Sequence, residues 1–558
     1  MRRRDLLTMA GTAGAMGLAA GSHQGAGTMP AKNGFRLFDV REFGAAGDGK
    51  TLDSRAFNAA IDACNSAGGG MAYAPPGEYR CGTVVLKSNV TLYLEAGATI
   101  LGSKDLADYT SQPGQQAEAD VNARHLIFAR DAENAGLAGP GRVNGQGPEF
   151  WVPSGRVVPP PEESWRDVAI FDWKPLERPS PLLEFVECRH LRIEDVRIEN
   201  APGWTLRFAN CDDIVIQGIA IKNPVYGPNS DGMDVIGCRN MFVANSLFET
   251  ADDAICLKSE SAYGSGPRVS KNIVITNCVL TTCCNGLKFG TASHGGFENV
   301  TFSNCVIYNE EVNLRERVIA GIALEIVDGG WMEGIVISSV RMQRVRTPIF
   351  IRRGNRTPRP DGTPGTLRGV MIENVHATGA ILTSSITGLP GFDVEDVTLS
   401  GIRIASEEAG KEEWVSHEIP EVPAAYPEAR MFGRLPSFGF FCRHVKGLRL
   451  RDLTLSSAAA EERPAITCND VKDLDIRGLR STKVSSAQPV VKLIQTAGAR
   501  LTDCAAPDGA GTFLEAQGDR TKGIVLAGCD LSGAQKPVEI GPAVPTGAVS
   551  FAKEDGKL

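Results

Sequence analysis

Residues Cys188–Glu199 read CRHLRIEDVRIE, residues Cys211–Lys222 read CDDIVIQGIAIK, and residues Cys238–Glu249 read CRNMFVANSLFE. Each segment begins with a cysteine. Two apolar residues separated by one residue of any kind follow the cysteine, and a second apolar pair comes after them. The segments begin 23 and 27 residues apart. Short alternating strands that recur at such a period are typical of stacked coils, so these segments predict a solenoid.

The same pattern continues almost to the end of the chain. Later repeats begin at Ile273, Val300, Ile335, Val370, Val397, Leu448, Leu474 and Ile524. No unit contains a long amphipathic helix, which excludes leucine-rich and helical repeats, and the one-directional repetition does not suit hairpin-linked strands. The sequence therefore predicts an all-β parallel β-helix over residues 35–535 with a tail at 536–558. Residues 153–180 and 405–440 interrupt the pattern and are predicted to be long loops beside a binding groove.

One segment near the start has helical periodicity. From Thr51 to Asn65 the apolar residues fall on one helical face, which predicts a helix over the open end of the coil stack. Such a cap prevents the first coil from pairing with another chain. The residues of the predicted apolar face are Leu52, Phe57, Ala60, Ile61 and Cys64.

The ends and the charge of the chain indicate where it works. Arg2, Arg3 and Arg4 precede a short apolar run rich in Ala and Gly, which predicts a twin-arginine-type export signal at residues 1–30. The 558 residues carry a net charge of -8, which does not favour binding to nucleic acid or to an anionic membrane. We expect a periplasmic or secreted monomer with no membrane attachment after export.

The 14 cysteines follow the repeat rather than a metal-binding pattern. Cys188, Cys211 and Cys238 precede apolar segments and Cys278 and Cys305 end them, which predicts a ladder of small core residues. No CxxC pair has a matching His or Cys partner, so a zinc site is not expected. We expect neither a metal nor a cofactor.

Acidic residues cluster on consecutive coils. Residues Asn229–Asp234 read NSDGMD and residues Ala251–Ile255 read ADDAI. When the coils are aligned on their apolar pairs, Asp231, Asp253 and Asn285 fall in one row with Asp252 beside it. Neighbouring strands lie roughly 4.7–4.9 Å apart, so these side chains are predicted to converge.

Carboxylates brought together in this way can hydrolyse a glycosidic bond. Repulsion between neighbouring acids raises the pKa of at least one of them, which can then donate a proton to the leaving oxygen. The ionised acids can accept a proton from water, with inversion at the anomeric carbon if the carboxyl groups are roughly 6.5–9.5 Å apart. The simpler alternative is that each Asp only satisfies backbone groups at a coil corner.

These motifs resemble glycoside hydrolase family 28, the polygalacturonase-like pectin hydrolases. Supporting segments are Phe43–Gly49 (FGAAGDG) and Gly139–Gly147 (GPGRVNGQG), together with Trp151, Trp204 and the separation of 21 residues between Asp231 and Asp252. The resemblance covers most of the chain up to about residue 400. It implies a right-handed parallel β-helix in which Asp252 is the general acid and Asp231 and Asp253 activate water.

The chain departs from that family where substrate is bound. Asn285 stands where the family has His, and Ala323-Leu324-Glu325 aligns with its uronate-binding Arg-Ile-Lys. Neither Ala nor Glu supplies a positive charge to a carboxylate. We therefore expect cleavage of another pectic or plant-type linkage, at a neutral sugar such as rhamnose or on a side chain, rather than of plain polygalacturonan. The candidate substrate-binding residues are Asn229, Asn285, Lys288, Glu325, Arg352 and His294, with Arg353 and Arg356 as further cations.

Two other functions fit the same sequence. A polysaccharide lyase on a β-helix would use the acids to hold calcium, which acidifies the proton beside a uronate carboxyl group. A non-catalytic β-helix would bind a glycan or an envelope partner through a decayed site. His294, at the end of the same strand as Asn285, could supply the missing imidazole in space, or could simply face solvent.

Overall fold

Successive coils of the chain add strands to three parallel sheets, which together form a right-handed parallel β-helix. These features come from a computed structural model that describes residues 36–111, 122–262, 264–310 and 313–552. The predicted all-β fold is thereby confirmed. The predicted export signal at residues 1–30 lies outside the described residues.

The first sheet, here called the site sheet, carries the acidic residues. Its strands stack in register, so that Val235, Leu257 and Phe289 lie directly above one another inside the coil. Because side chains alternate along a strand, Asp234, Cys256 and Lys288 form the matching row on the outer face. The strands are Val84–Val85, Ile127–Arg130, Leu183–Val186, Leu206–Ala209, Met233–Ile236, Ile255–Ser259, Asn285–Ser293, Ala320–Ile326, Thr347–Arg353, Ser384–Thr387, Phe440–Arg451, Ile466–Arg477, Pro489–Ile494, Ala510–Gln517 and Ala534–Ile540.

The second sheet carries the apolar-x-apolar motif of the repeat. Leu191, Ile214, Met241 and Ile273 stack in register and are all buried. The later halves of two site-sheet strands, Phe440–Arg451 and Ile466–Arg477, also belong to this sheet. Its other strands are Leu37–Asp39, Gly70–Ala74, Val90–Leu94, Gly136–Ala138, Arg189–Glu194, Asp212–Gln217, Arg239–Ala244, Ser270–Thr276, Gly296–Tyr308, Trp331–Gln343, Thr366–Ala380, Val394–Ser400, Ala497–Thr502, Lys522–Ala527 and Val549–Phe551.

The third sheet carries the second apolar pair of each repeat. Ile198, Ile221, Phe248 and Leu280 stack in its core. The strands beginning at Gly296, Trp331 and Thr366 are long enough to run through both the second and the third sheet. The other strands are Asp48–Leu52, Gly77–Cys81, Ala98–Gly102, Arg142–Asn144, Arg197–Glu199, Ala220–Lys222, Leu247–Glu249, Val279–Thr281, Arg403–Ser406, Thr454–Ser457 and Arg480–Ser481.

Corner residues explain the recurring Asn and Asp of the repeat. Asn240, Asn272 and Asn299 all have φ near +55°, a left-handed conformation that Asn adopts more readily than most residues. Their side chains also bond along the stack, since the Asn272 amide donates to Asn240 Oδ1 at 2.9 Å and the Asn299 amide donates to Asn272 Oδ1 at 3.3 Å. The corner Asn therefore fixes both the turn and the register of adjacent coils.

The helix at the start of the stack runs from Ser54 to Ser66 and buries Phe57, Ala60, Ile61 and Cys64 against the first coils. Leu52 does not belong to this face, because it ends the preceding strand and is exposed. Among the described residues, no helix is both long and apolar enough to cross a membrane.

The other end of the stack lies further along the chain than the repeat indicates. Residues 536–558 are predicted to be a tail, but the strands Ala534–Ile540 and Val549–Phe551 add further rungs to the site sheet and to the second sheet. This corrects the predicted boundary at residue 535. The last strands are largely exposed and lack the apolar alternation of the inner coils, so the sequence gives no signal for them.

The cysteines lie along the core. Cys188 and Cys211 stack on adjacent coils, with the Cys188 amide 3.4 Å from the Cys211 sulfur, and the Cys278 amide contacts the Cys305 sulfur at the same distance. All 14 cysteines are free thiols, and 13 of them are buried. The ladder is thus a packing feature of the coils.

Two long loops interrupt the coils and pack against each other. The first loop, residues 145–182, contains the antiparallel strands Trp151–Pro153 and Trp173–Pro175. The second loop, residues 407–439, folds back over the outer face of the site sheet, where Phe432 packs near Phe350 and Ala323. Arg434 of the second loop lies 4.6 Å from the ring of Trp165 in the first loop and 4.9 Å from that of Trp414.

Candidate active site

Three carboxyl groups meet at the edge of the site sheet. Asp231 precedes the strand Met233–Ile236, and Asp252 and Asp253 precede the strand Ile255–Ser259. Because these strands are in register, one oxygen of each acid lies within 4.8 Å of the others. The row that the sequence predicts from Asp231 to Asn285 is therefore present in the structure.

The backbone around the acids explains the surrounding sequence. The Gly232 amide donates to the Asp253 carbonyl at 2.9 Å, and the Ala254 amide donates to the Asn285 carbonyl at 2.8 Å. A Cβ at Gly232 would lie 2.4 Å from the Ala254 carbonyl oxygen, so only glycine fits between the coils here. The Thr282 hydroxyl donates to the Asp252 carbonyl at 2.5 Å. The acidic turns are thus held to one another before any substrate binds.

Asp231 and Asp252 share a site that favours a proton. Burial raises the pKa of Asp231 well above its usual value, and the nearby Asp252 raises it further. Burial and the adjacent Asp253 raise the pKa of Asp252 to about 6, against the opposing effect of the Lys288 ammonium group. Two acids in such contact titrate as a pair, so the pair holds a proton close to neutral pH. Asp252 is the more exposed of the two and is the one that a ligand can reach.

Asp253 differs from its neighbours because donors surround it. Asn285 donates to Asp253 Oδ1 through its side-chain amide at 2.7 Å and its backbone amide at 3.2 Å. Lys288 Nζ donates to Asp253 Oδ2 at 2.9 Å. Although burial opposes a charge on Lys288, Asp253 and Tyr426 raise its pKa well above its usual value, so it stays cationic. Asp253 therefore accepts three hydrogen bonds, one of them from a charged donor.

A second ion pair lies beside the acids on the outer face. Lys258 Nζ is 2.8 Å from Asp234 Oδ1 and 3.5 Å from the centre of the Trp204 ring. Both charged residues are buried, and Lys258 lowers the pKa of Asp231. Lys258 was not among the sequence candidates. Its outward position could have been predicted from the sequence. Side chains alternate along a strand, and Lys258 is two residues after Cys256, which is in register with the outward Asp234.

Glu325 carries a further buried carboxyl group of the site. It is only 1% exposed, and its Oε2 has no hydrogen-bond partner among the residues that the structure describes. Burial raises its pKa to about 8, while Lys288 opposes the rise and Asp253 adds to it. At neutral pH this side chain is therefore a neutral carboxylic acid on the same outer face as Lys288.

The arginines that follow Glu325 are anchored to the protein. Arg352 is 1% exposed and donates to the carbonyls of Gly388 at 3.1 Å and Glu421 at 2.6 Å, so it holds the second loop in place. This corrects the prediction that Arg352 binds substrate. Arg353 donates to the Gly365 carbonyl at 2.6 Å. The guanidinium of Arg356 pairs with both oxygens of Asp328 at 2.8 and 2.7 Å.

Two other predicted residues lie further from the acids. His294 is exposed just after the strand Asn285–Ser293, and within the described part of the chain it has no hydrogen bond or ion pair with the three acids. That His294 supplies the missing imidazole stays a prediction. Asn229 lies on the turn before Asp231, where its Oδ1 accepts a hydrogen bond from Arg178 at 3.4 Å.

The two long loops form walls on either side of the acids. The Tyr426 hydroxyl of the second loop accepts a hydrogen bond from Lys288 Nζ at 3.1 Å, and the Tyr426 ring also lies 5.9 Å from the Arg356 guanidinium. On the other side, Tyr226 packs against Trp151 and Trp173 of the first loop. Neither wall is visible in the repeat, because each depends on contacts between residues far apart in the chain.

A parallel β-helix with a buried cluster of three acids between two loops has the form of a polysaccharide-cleaving enzyme site. The sequence profile of "Glycosyl hydrolases family 28" matches residues 73–425, and the chain belongs to that family. This confirms the resemblance found in the sequence.

Several known proteins are similar to the chain. It is 24% identical over 401 residues to a probable polygalacturonase of Vitis vinifera, covering 68% of this chain and 76% of the relative. It is 26% identical over 348 residues to polygalacturonase QRT2 of Arabidopsis thaliana, covering 61% and 70%. The crystal structure of a hyperthermoactive exopolygalacturonase from Thermotoga maritima matches with a TM-score of 0.53 at 25% identity, covering 68% of this chain and 88% of that one.

Proposed function

We propose that this protein is an exported glycoside hydrolase that cleaves a glycosidic bond in pectin or a related plant polysaccharide. The observation that carries the proposal is the convergence of Asp231, Asp252 and Asp253 within 4.8 Å, with the pKa of two of them raised. Family membership supports a pectin-type substrate. The export signal at residues 1–30 is part of the proposal and is supported by the sequence alone.

In the proposed reaction Asp252 is the general acid. Its carboxyl proton passes to the glycosidic oxygen as the bond to the anomeric carbon breaks, and water attacks that carbon. The proton lost by the water goes to a carboxylate, Asp231 or Asp253. Asn285 and Lys288 do not touch the reacting atoms in this scheme, but hold Asp253 as an acceptor through the contacts described above.

Inversion at the anomeric carbon is supported by the family resemblance and not by the spacing of the acids. One oxygen of each acid lies within 4.8 Å of the others, whereas the carboxyl groups of inverting enzymes are typically about 6.5–9.5 Å apart. These oxygens are therefore closer together than the separation expected for inversion. The anomer of the first product, followed by NMR, decides the point.

The charges around the acids support a substrate other than plain polygalacturonan. Lys258, Lys288 and Arg356 are each already paired with a carboxylate at 2.7–2.9 Å. Binding a uronate would require one of these cations to leave its partner, because Glu325 adds no positive charge. We propose that the sugar at the cleaved bond is neutral, with Glu325 and Asn229 among the groups that contact the substrate.

The test is a screen of pectic polysaccharides and oligosaccharides in which new reducing ends are measured. Wild-type protein should release them from at least one neutral-sugar-containing pectic substrate, and Asp252→Asn should not. Asp213→Asn is the matched control, because Asp213 is exposed on the second sheet and its φ of +58° suits Asn. Release that survives Asp252→Asn would overturn the assignment of the acid.

A calcium-dependent lyase is the main alternative, since three acids within 4.8 Å can hold a cation. Both oxygens of Asp253 already accept hydrogen bonds from Asn285 and Lys288, which a calcium ion would have to displace. Ultraviolet absorbance from an unsaturated product, lost on adding chelator, would favour the lyase. Glycan binding without any turnover by the wild-type protein would favour the non-catalytic alternative.

A further inference from the structure

Two aromatic rings are stacked at the surface, one of them on the turn that leads to Asp231. The centroids of Trp173 and Tyr226 are 5.2 Å apart with 28° between the ring planes. Tyr226 is 37% exposed and Trp173 is half-buried, so the pair is not part of the core. Trp151 lies edge-on to Tyr226 at 6.2 Å and is itself buried, with its indole nitrogen donating to the Pro202 carbonyl at 2.8 Å. We call Trp173 and Tyr226 the aromatic shelf.

The shelf is tied to the acidic turns. Tyr226 lies five residues before Asp231 on the same turn. The Cys283 thiol contacts the Val225 carbonyl at 3.4 Å and the Ala251 carbonyl at 2.8 Å, which joins this turn to the residue before Asp252. Tyr226 therefore follows directly after Val225, the residue that the Cys283 thiol joins to Ala251, and Ala251 directly precedes the proposed general acid Asp252.

The part of the first loop that carries Trp173 is held rigidly. Trp173 begins the strand Trp173–Pro175, which pairs antiparallel with the strand Trp151–Pro153. Arg315 fixes the preceding residues, with Nε 2.7 Å from Asp167 and Nη2 2.5 Å from Asp172. A surface that is ordered before binding loses little conformational entropy when a ligand arrives. The shelf is therefore suited to bind rather than merely to pack.

We infer that the aromatic shelf is a sugar-binding subsite, on which one pyranose ring of the glycan stacks by its C–H face next to the cleaved bond. A pyranose has an apolar face and a polar rim, and Trp and Tyr offer a matching apolar ring with a polar edge. Neither the Tyr226 hydroxyl nor the Trp173 indole nitrogen has a hydrogen bond among the described residues, so both edges can serve sugar hydroxyls. The inference rests on the proposed function.

The test compares ring removal with ring retention. Trp173→Ala and Tyr226→Ala should each raise KM about three- to tenfold on a cleaved pectic oligosaccharide with kcat little changed, and Trp173→Phe should stay close to wild type. Phe171→Ala is the control, because Phe171 is an exposed ring of the same loop outside the stack. Thermal melting of each variant checks that it is folded.

Binding is measured separately in the Asp252→Asn protein, by tryptophan fluorescence during titration with the same oligosaccharide. The signal should change on binding, and the change should shrink when Trp173→Phe is added while the affinity is kept. Unchanged KM in both alanine variants of a protein that cleaves glycan would overturn the shelf alone. If the wild type neither cleaves nor binds any pectic oligosaccharide, the proposed function and the shelf both fail.

Discussion

The coils that carry the three acids and the coil two strands further along the same sheet are built differently. On the acidic coils, Asp253 and Asp234 each have a lysine partner within 2.9 Å. On the strand Ala320–Ile326 the outward positions are a small apolar Ala323 and Glu325, whose Oε2 has no hydrogen-bond partner within the described part of the chain. In the proposed mechanism the reaction and the recognition of substrate are therefore carried by separate coils, so one can be kept while the other changes.

The physical reason lies in what each coil must do with its charges. Buried carboxylates that transfer a proton need fixed neighbours, because their pKa values depend on every charge nearby. A position that contacts only substrate lacks this constraint, and a buried group there can stay unpaired until a ligand arrives. The acidic coils are therefore expected to resist substitution more strongly than the coil of Glu325.

The largest expected effect comes from removing a carboxyl group from the acidic coils. Asp252→Asn removes the transferable proton and should lower kcat by about 10²- to 10⁴-fold on any cleaved pectic substrate. In the wild type, kcat should fall as the pH rises through the apparent pKa values of the Asp231 and Asp252 pair, one of which is raised to about 6. Reducing-end release against pH measures both, and the exposed control Asp213→Asn should match wild type.

The next effect tests the buried ion pair. Lys288→Met leaves Asp253 without its cation and should lower the free energy of unfolding by about 3–5 kcal/mol. Because the Lys288 ammonium lowers the pKa of Asp252, its loss should also move the fall in kcat to higher pH. Urea unfolding and the pH profile report the two results. Lys271→Met, which breaks the more exposed pair with Glu298, should cost under about 1 kcal/mol.

The third prediction tests the coil of Glu325. Its pKa rises from 4.5 to about 8 on folding, so the folded state binds more protons between these values and stability falls as pH rises through that window. Glu325→Gln removes the penalty and should stabilise the protein by on the order of 2 kcal/mol at pH 9, with little effect at pH 4.5. Melting curves at both pH values test this. An equal shift at the two pH values would contradict a buried, neutral acid.

The smallest expected effect concerns the walls. Arg434→Met removes the guanidinium that contacts Trp165 and Trp414, and should cost about 1 kcal/mol. Limited proteolysis should then cut the second loop several-fold faster. Arg449→Met, which alters an exposed pair with Asp473 on the second sheet, should leave the rate of cleavage in that loop unchanged.

Much of the fold could be predicted because its signal is local. Each coil repeats the same alternation, and Leu191, Ile214 and Met241 stack in register as their common position in the repeat indicates. The acid row followed from the same logic, since Asp231 and Asp253 precede equivalent strands. The final coils were missed because the strands Ala534–Ile540 and Val549–Phe551 face solvent at the end of the stack and have little apolar alternation.

The surroundings of the acids could not be predicted in the same way. Tyr426 contacts Lys288 across 138 residues of sequence, and no periodic signal relates a loop residue to a coil residue. Arg352 looked like a free outward cation because the repeat does not show that the second loop covers it. The role of Glu325 likewise depends on burial by groups from other parts of the chain.

The contact of Arg434 with Trp165 and Trp414 has a consequence for redesign. The first and second loops depart from the coil stack more than 200 residues apart, yet one guanidinium and the bond from Arg430 to the Arg166 carbonyl at 2.6 Å connect them. Exchanging one loop for that of a relative would leave the other without its partner. Moving this cleft into another protein would require both loops, because substrate specificity would depend on the two together.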